Sequence, residues 1–160
     1  MATKNIVMPE KGMELLSFHE SGHAMNANLS KAGKFLQKCR PIGLLVYPIA
    51  MIALLKNKKA PEEEPKNVLD KATTFVKDNA GKLSFAAYLP LLIEEGLASA
   101  KGQKYAKKFL SPDLAKKVLK NNVLGFSTYF IVATLTALGT CLGTKVRDTV
   151  VSNSSKAETK

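Results

Sequence analysis

"VLGFSTYFIVATLTALGTCLGT", Val123 to Thr144, runs for 22 residues without a charge. A helix rises about 1.5 Å per residue, so about 20 apolar residues cross a hydrocarbon core about 30 Å thick. This stretch is long enough to span a bilayer. Its glycines, serines and threonines suit close helix packing in lipid, where small residues let backbones approach. After Lys145 the chain turns polar, and residues 145–160 read as a disordered tail.

Upstream, Ser111-Pro112-Asp113 reads as a helix start, with serine at the cap and proline at the first helical position. A short basic helix, Leu114 to Lys120, leads from it into the uncharged run. Two further apolar runs precede it. "LSFAAYLPLLI", Leu83 to Ile93, is interrupted by Pro90. "PIGLLVYPIAMIALL", residues 41–55, lacks the length of a full span, and Pro48 is expected to kink it. It reads as a short span, a re-entrant segment or a buried helix. Between these runs, "KNKKAPEEEPKNVLDK" is a charged, proline-bearing loop. Asn67 to Asn79 then forms a short amphipathic helix closed by Gly81. Before Pro41, the recurrence of Leu15, Leu16, Phe18, Ala24, Met25, Ala27 and Leu29 predicts a helix over residues 10–38.

No stretch alternates as a strand does. The expectation is an all-α, membrane-associated helical bundle with one clear and two short or kinked apolar helices, in one domain over residues 1–144. A mean hydropathy of −0.03 leaves a soluble bundle with apolar core helices as the alternative. Met1 to Gly12 is polar and lacks the apolar core of a signal peptide. Basic residues divide almost evenly between the two sides that three spans would create, so charge does not fix the orientation.

The net charge is +11, from 24 Lys and Arg against 13 acids. Such an excess points to nucleic acid or to an anionic membrane surface. There is no zinc-finger spacing, no aromatic RNA-binding run and no tryptophan, and the basic residues flank the apolar runs. The predicted partner is an anionic lipid bilayer, with no nucleic acid. Cys39 and Cys141 form no CxxC pair and no disulfide framework.

The only two histidines lie in "FHESGHAMN", Phe18 to Asn26. His19-Glu20-Ser21-Gly22-His23 matches H-E-x-x-H. Residues i and i+4 share a helix face, so both imidazoles can reach one ion. Zinc accepts neutral imidazole nitrogen, and Glu20 is placed to take a proton from the attacking water. A catalytic site needs a third protein ligand, which here must be Asp, Glu or Cys. Glu94 and Glu95, at the end of the second apolar run, are the most suggestive, because charges there are costly unless paired or bound to a cation. Glu62 to Glu64 read as a solvated charge run and Asp113 as helix-start chemistry.

"HESGHAMN", then "EEGLASAKGQKYAKKFL", then "AKKVLKNNVLGFSTYFIVATLTAL" together resemble the bacterial membrane-bound neutral zinc metallopeptidases. Those carry HExGHAxQ on one helix, an E-F-D-A-S segment after an apolar span, and a K-V-L segment running into a last membrane helix. The resemblance covers roughly residues 15–143 and rests on these three motifs. It implies a Zn2+ cofactor held by His19, His23 and Glu95, with Glu20 as general base. It implies hydrolysis of a membrane-proximal peptide. Glu94 and Glu95 leave the third ligand ambiguous by one residue. Leu97 stands where the family has Asp, and Asn26 where it has Gln. Family members also carry an earlier membrane helix and a long segment ahead of the HExxH helix, which this sequence lacks, and no strand is available for a substrate to extend. Two other functions remain open: a catalytically degenerate relative acting as membrane adaptor or regulator, and a basic lipid-binding protein in which the motif is accidental.

Overall fold

A computed structural model describes residues 15–59 and 63–158. Residues 10–14 of the expected first helix, the polar segment Met1 to Gly12, and Glu62 lie outside them. Among the described residues the fold is all-α, with no strand. The helices are α1 (Leu16–Leu29), α2 (Lys31–Cys39), α3 (Val46–Leu55), α4 (Val68–Asp78), α5 (Ala80–Phe109) and α6 (Pro112–Glu158), with a 3-10 turn at Arg40–Leu45.

Three helical segments are long and apolar enough to cross a membrane: Lys31–Leu55, Ala80–Phe109 and Pro112–Ser154. The first exceeds the expected 41–55, because helical structure continues back through the basic cluster. Pro48 falls in the first turn of α3, just after the 3-10 turn, where a missing N–H costs least. Pro90 lies inside α5, which stays helical over 30 residues. Gly81 does not close α4. It sits in the first turn of α5, and Asn79 is the junction.

Two other expectations are corrected. The helix predicted over 10–38 breaks at Ser30, whose extended backbone (φ −131°, ψ 117°) ends α1 and whose Oγ accepts from the Gly33 N–H at 3.0 Å, capping α2. The residues read as a disordered tail are helical as far as Glu158. Thr144, Thr149 and Ser154 return their hydroxyls to carbonyls four residues earlier, so these polar side chains turn inward on the helix instead of opening it.

The described residues pack as two compact units. The first holds the described residues up to Pro41 together with Leu89–Ile131. There α1 lies so close on α5 that a Cβ at Gly22 would collide with the Ala98 carbonyl, and one at Gly102 with the Phe18 carbonyl. Only glycine permits this double approach. Ala98, Ala106 and Val118 are fully buried beside it.

The second unit holds Ile42–Tyr88 and the chain from Val132 onward. Its core is built mainly from alanines 53, 80, 87 and 133. The buried Lys77 ammonium donates to the Ala53 carbonyl at 2.9 Å and pairs with Asp148 at 2.8 Å. The Asn67 side chain caps α4 through the Asp70 N–H at 2.8 Å. The Asp70 carboxylate in turn gathers Lys56, Lys59 and the Lys66 N–H.

Candidate metal centre

All residues of the candidate site belong to the first unit. His19 and His23 sit one turn apart on α1, and Glu94 and Glu95 face them from α5. Glu94 and Glu95 are the largest fully buried side chains, 0% and 1% exposed. Two carboxylates at such depth are costly unless neutralised. The surroundings do this.

Three atoms converge. His19 Nε2 and His23 Nε2 are 3.0 Å apart, and Glu95 Oε2 lies 3.2 Å from the first and 3.5 Å from the second. The rings meet edge to face at 90°, with centroids 4.6 Å apart. Zinc bonded tetrahedrally at about 2.0–2.1 Å separates its ligand atoms by about 3.3 Å. The observed separations bracket that edge, and the donor set of two imidazole nitrogens and one carboxylate oxygen is one zinc accepts. Among the described residues this is the one group of three His, Cys, Asp or Glu side chains so arranged.

The backs of the ligands are held too. His23 Nδ1 is 2.9 Å from Glu94 Oε1, and His19 Nδ1 is 3.3 Å from Ser99 Oγ. An Nδ1–H donated outward leaves the Nε2 lone pair of each ring pointing into the cluster, the usual arrangement behind a metal-binding histidine. Arg40 lays one guanidinium nitrogen on Glu94 Oε2 at 3.2 Å and another on Glu95 Oε1 at 2.9 Å. It thereby occupies the Glu95 oxygen that faces away from the histidines and leaves Oε2 free. Glu94 Oε1 also accepts from Asn26 and Gln37, each at 3.0 Å. Lys101 holds Asn26 from the other end at 2.5 Å.

Two lone pairs cannot face each other at 3.0 Å without a proton or a cation between them. Burial pulls the His23 pKa down, but its hydrogen bonds to Glu94 and Glu95 and their charges outweigh that and raise it to about 9.

The expected residues are thus sorted. His19, His23 and Glu95 come together. Glu94, the rival third ligand, instead backs His23. Glu20 is half-buried on α1 beside His19 and stays outside the cluster. Of the other acids considered, Glu63, Glu64 and Asp113 also lie outside it. Arg40, Gln37, Ser99 and Lys101 were not expected as site residues. Arg40 reads only as part of a basic cluster, and nothing in the spacing of Gln37 relates it to a residue 57 positions on. A search across protein families finds no match for the chain, and searches of curated proteins and of solved structures find none.

Proposed function

We propose that this protein is a zinc-dependent membrane metalloprotease that hydrolyses a membrane-proximal peptide, with zinc held by His19, His23 and Glu95. The observation that carries the reading is the convergence of His19 Nε2, His23 Nε2 and Glu95 Oε2 at 3.0–3.5 Å, each held from behind by a separate partner. Zinc, when bound, supplies Lewis acidity that polarises a peptide carbonyl and eases deprotonation of water. Glu20 takes the proton from the attacking water and delivers it to the leaving amine. Arg40 keeps Glu95 to one ligating oxygen, which leaves room for water and substrate. Glu94 and Ser99 fix the ring tautomers.

The apolar surface supports the membrane setting. Leu124, Phe130, Ile131, Leu135, Leu138 and Leu142 of α6 are all exposed. Exposed apolar side chains along a helix long enough to cross a membrane suit a bilayer. The resemblance of the three motifs to the neutral zinc metallopeptidases supports the same reading.

The test is cleavage of a peptide library by the full chain in lipid, loaded with zinc, compared with Glu20→Gln. Loss of at least about a hundredfold in rate, with zinc retained, is the expected result for a missing general base. Equal rates sink the catalytic role of Glu20.

One observation favours a second reading, a degenerate relative serving as a membrane adaptor. Arg40 pairs with both buried glutamates, and Gln37 and His23 also bond Glu94, so the network can hold α1, α2 and α5 together by itself. A cellular phenotype that survives Glu20→Gln with zinc still bound selects this reading.

A further inference from the structure

In the first unit α5 ends at Phe109 and α6 begins at Pro112, and the two form a hairpin. They run antiparallel, with the Asn122 amide donating to the Ser99 carbonyl at 3.2 Å and Gln103 Nε2 to the Ala115 carbonyl at 3.1 Å. Ala106, Ala115 and Val118 are buried. The outward faces are basic. Lys104, Lys107 and Lys108 on α5, and Lys116, Lys117 and Lys120 on α6, are all exposed. Their spacing of three and four residues gathers each set on one helix face. Asp113 is the one acid in residues 101–120. Among the described residues none of the six lysines joins an ion pair. The second unit uses its cations differently. There Lys56 and Lys59 share Asp70, and Lys77 and Arg147 share Asp148. A count of charges along the sequence misses this contrast.

We infer that the α5–α6 hairpin lies in the headgroup layer of a bilayer, where its six lysines hold the phosphates of anionic lipids. The inference rests on the membrane setting proposed above and is independent of catalysis. The lysines stand at the right height. Lys120, Lys117 and Lys116 precede Val123, the start of the uncharged run, by three to seven residues, or about 5–10 Å along the helix. The two hydrogen bonds between the helices set Lys104 level with the same part of α6. Headgroups lie directly outside the hydrocarbon core, and the Debye length is about 8 Å in physiological salt, so these charges meet lipid phosphates little screened. The turn carries side chains that suit the same layer. Tyr105 and Phe109 are exposed with ring centroids 5.7 Å apart, and Lys108 Nζ lies 6.0 Å from the centre of the Tyr105 ring. Tyrosine is enriched at the headgroup level, and lysine lays its stem along apolar surface while its ammonium reaches polar groups. Nucleic acid fits this face less well. With the lysines so near the core, an approaching polyanion would lie against the negative surface of the leaflet, which repels it.

The test uses the lack of tryptophan in the chain. Phe109→Trp places a single fluorescent reporter at the turn, at a side chain that is 70% exposed. The full chain carrying it is reconstituted in phosphatidylcholine vesicles with a minor share of phosphatidylglycerol, and one lipid or the other carries bromine on its acyl chains. Quenching should show phosphatidylglycerol enriched at the reporter at least about fivefold over its share, the factor that a single lysine near such a surface supplies. Raising the salt to about 1 M, where the Debye length is about 3 Å, should remove most of the excess. K104Q, K107Q, K108Q, K116Q, K117Q and K120Q together should remove it at low salt. Tyr105→Trp, at a second exposed position, should repeat the pattern. Equal quenching by the two lipids, an excess indifferent to salt, or release of the quenching by an RNA oligonucleotide overturns the inference. Carbonate washing of the same vesicles keeps it apart from the membrane reading. A chain that stays with the vesicles without an excess of phosphatidylglycerol loses this site only, and a chain that washes off loses both.

Discussion

Glu94 and Glu95 are neighbours in sequence with different tasks. Glu95 presents one oxygen to the two imidazole nitrogens, whereas Glu94 supports His23 from the far side of its ring. Glu94→Gln should therefore weaken zinc by about 10–100-fold without abolishing it, as loss of an outer-sphere carboxylate does. Glu95→Gln should weaken it far more. Competition with a chromophoric chelator measures both, and equal effects would contradict the assignment. Gly22 shows how tightly the scaffold holds these groups. Gly22→Ala drives a methyl into the Ala98 carbonyl. It should cost about 1–3 kcal/mol, as overpacking typically does, and lower the thermal midpoint. The sequence makes His19, Glu20 and His23 legible because one helical turn carries the pattern. It leaves Glu94 and Glu95 undecided, because a one-residue step rotates a side chain by about 100° around the helix, and only the packing of α5 fixes which one meets both imidazole Nε2 atoms. Arg40 and Gln37 could not be read at all. They reach the site because Ser30 turns the chain back, and a serine at the cap position inside a periodic run looks like any other polar residue.

Among the elements, apolar runs without charge and capped starts are the features that sequence conveys well. The 22-residue run, the α4 cap at Asn67 and the Pro112 start of α6 all appear where local chemistry places them. Proline is a poorer guide, because Pro48 and Pro90 are absorbed within helices instead of ending them. The link between α3 and α4 offers a pH test. The Lys56 and Lys59 ammonium groups and the Lys66 N–H hold the Asp70 carboxyl well below its ordinary value of 3.8. A carboxyl with a depressed folded pKa stabilises the fold fully above its unfolded value, and that contribution is lost as pH falls through the folded value. Asp70→Asn should therefore lower the thermal midpoint at neutral pH, and its curve should meet that of the unsubstituted chain only in strong acid. Curves that merge by pH 5 would remove Asp70 as the anchor of this link.

Among the described residues three segments suit a bilayer, and the largest fully buried side chains in one of them are carboxylates. Ionisable groups are placed in a membrane segment at a cost, and they usually mark a site of function. The chain should remain with membranes through alkaline carbonate washing and leave them only with detergent. Release by carbonate alone would return the exposed apolar face of α6 to some protein partner. The central claim is that one zinc ion sits among His19, His23 and Glu95. Metal analysis combined with X-ray absorption, on full chain purified without chelator and offered zinc, tests it most directly. The account predicts about one zinc per chain with a first shell of two imidazole nitrogens and carboxylate or water oxygen, and none in the His19→Ala or His23→Ala chains. A chain that takes up no zinc, or that binds it equally well after both histidines are replaced, contradicts it.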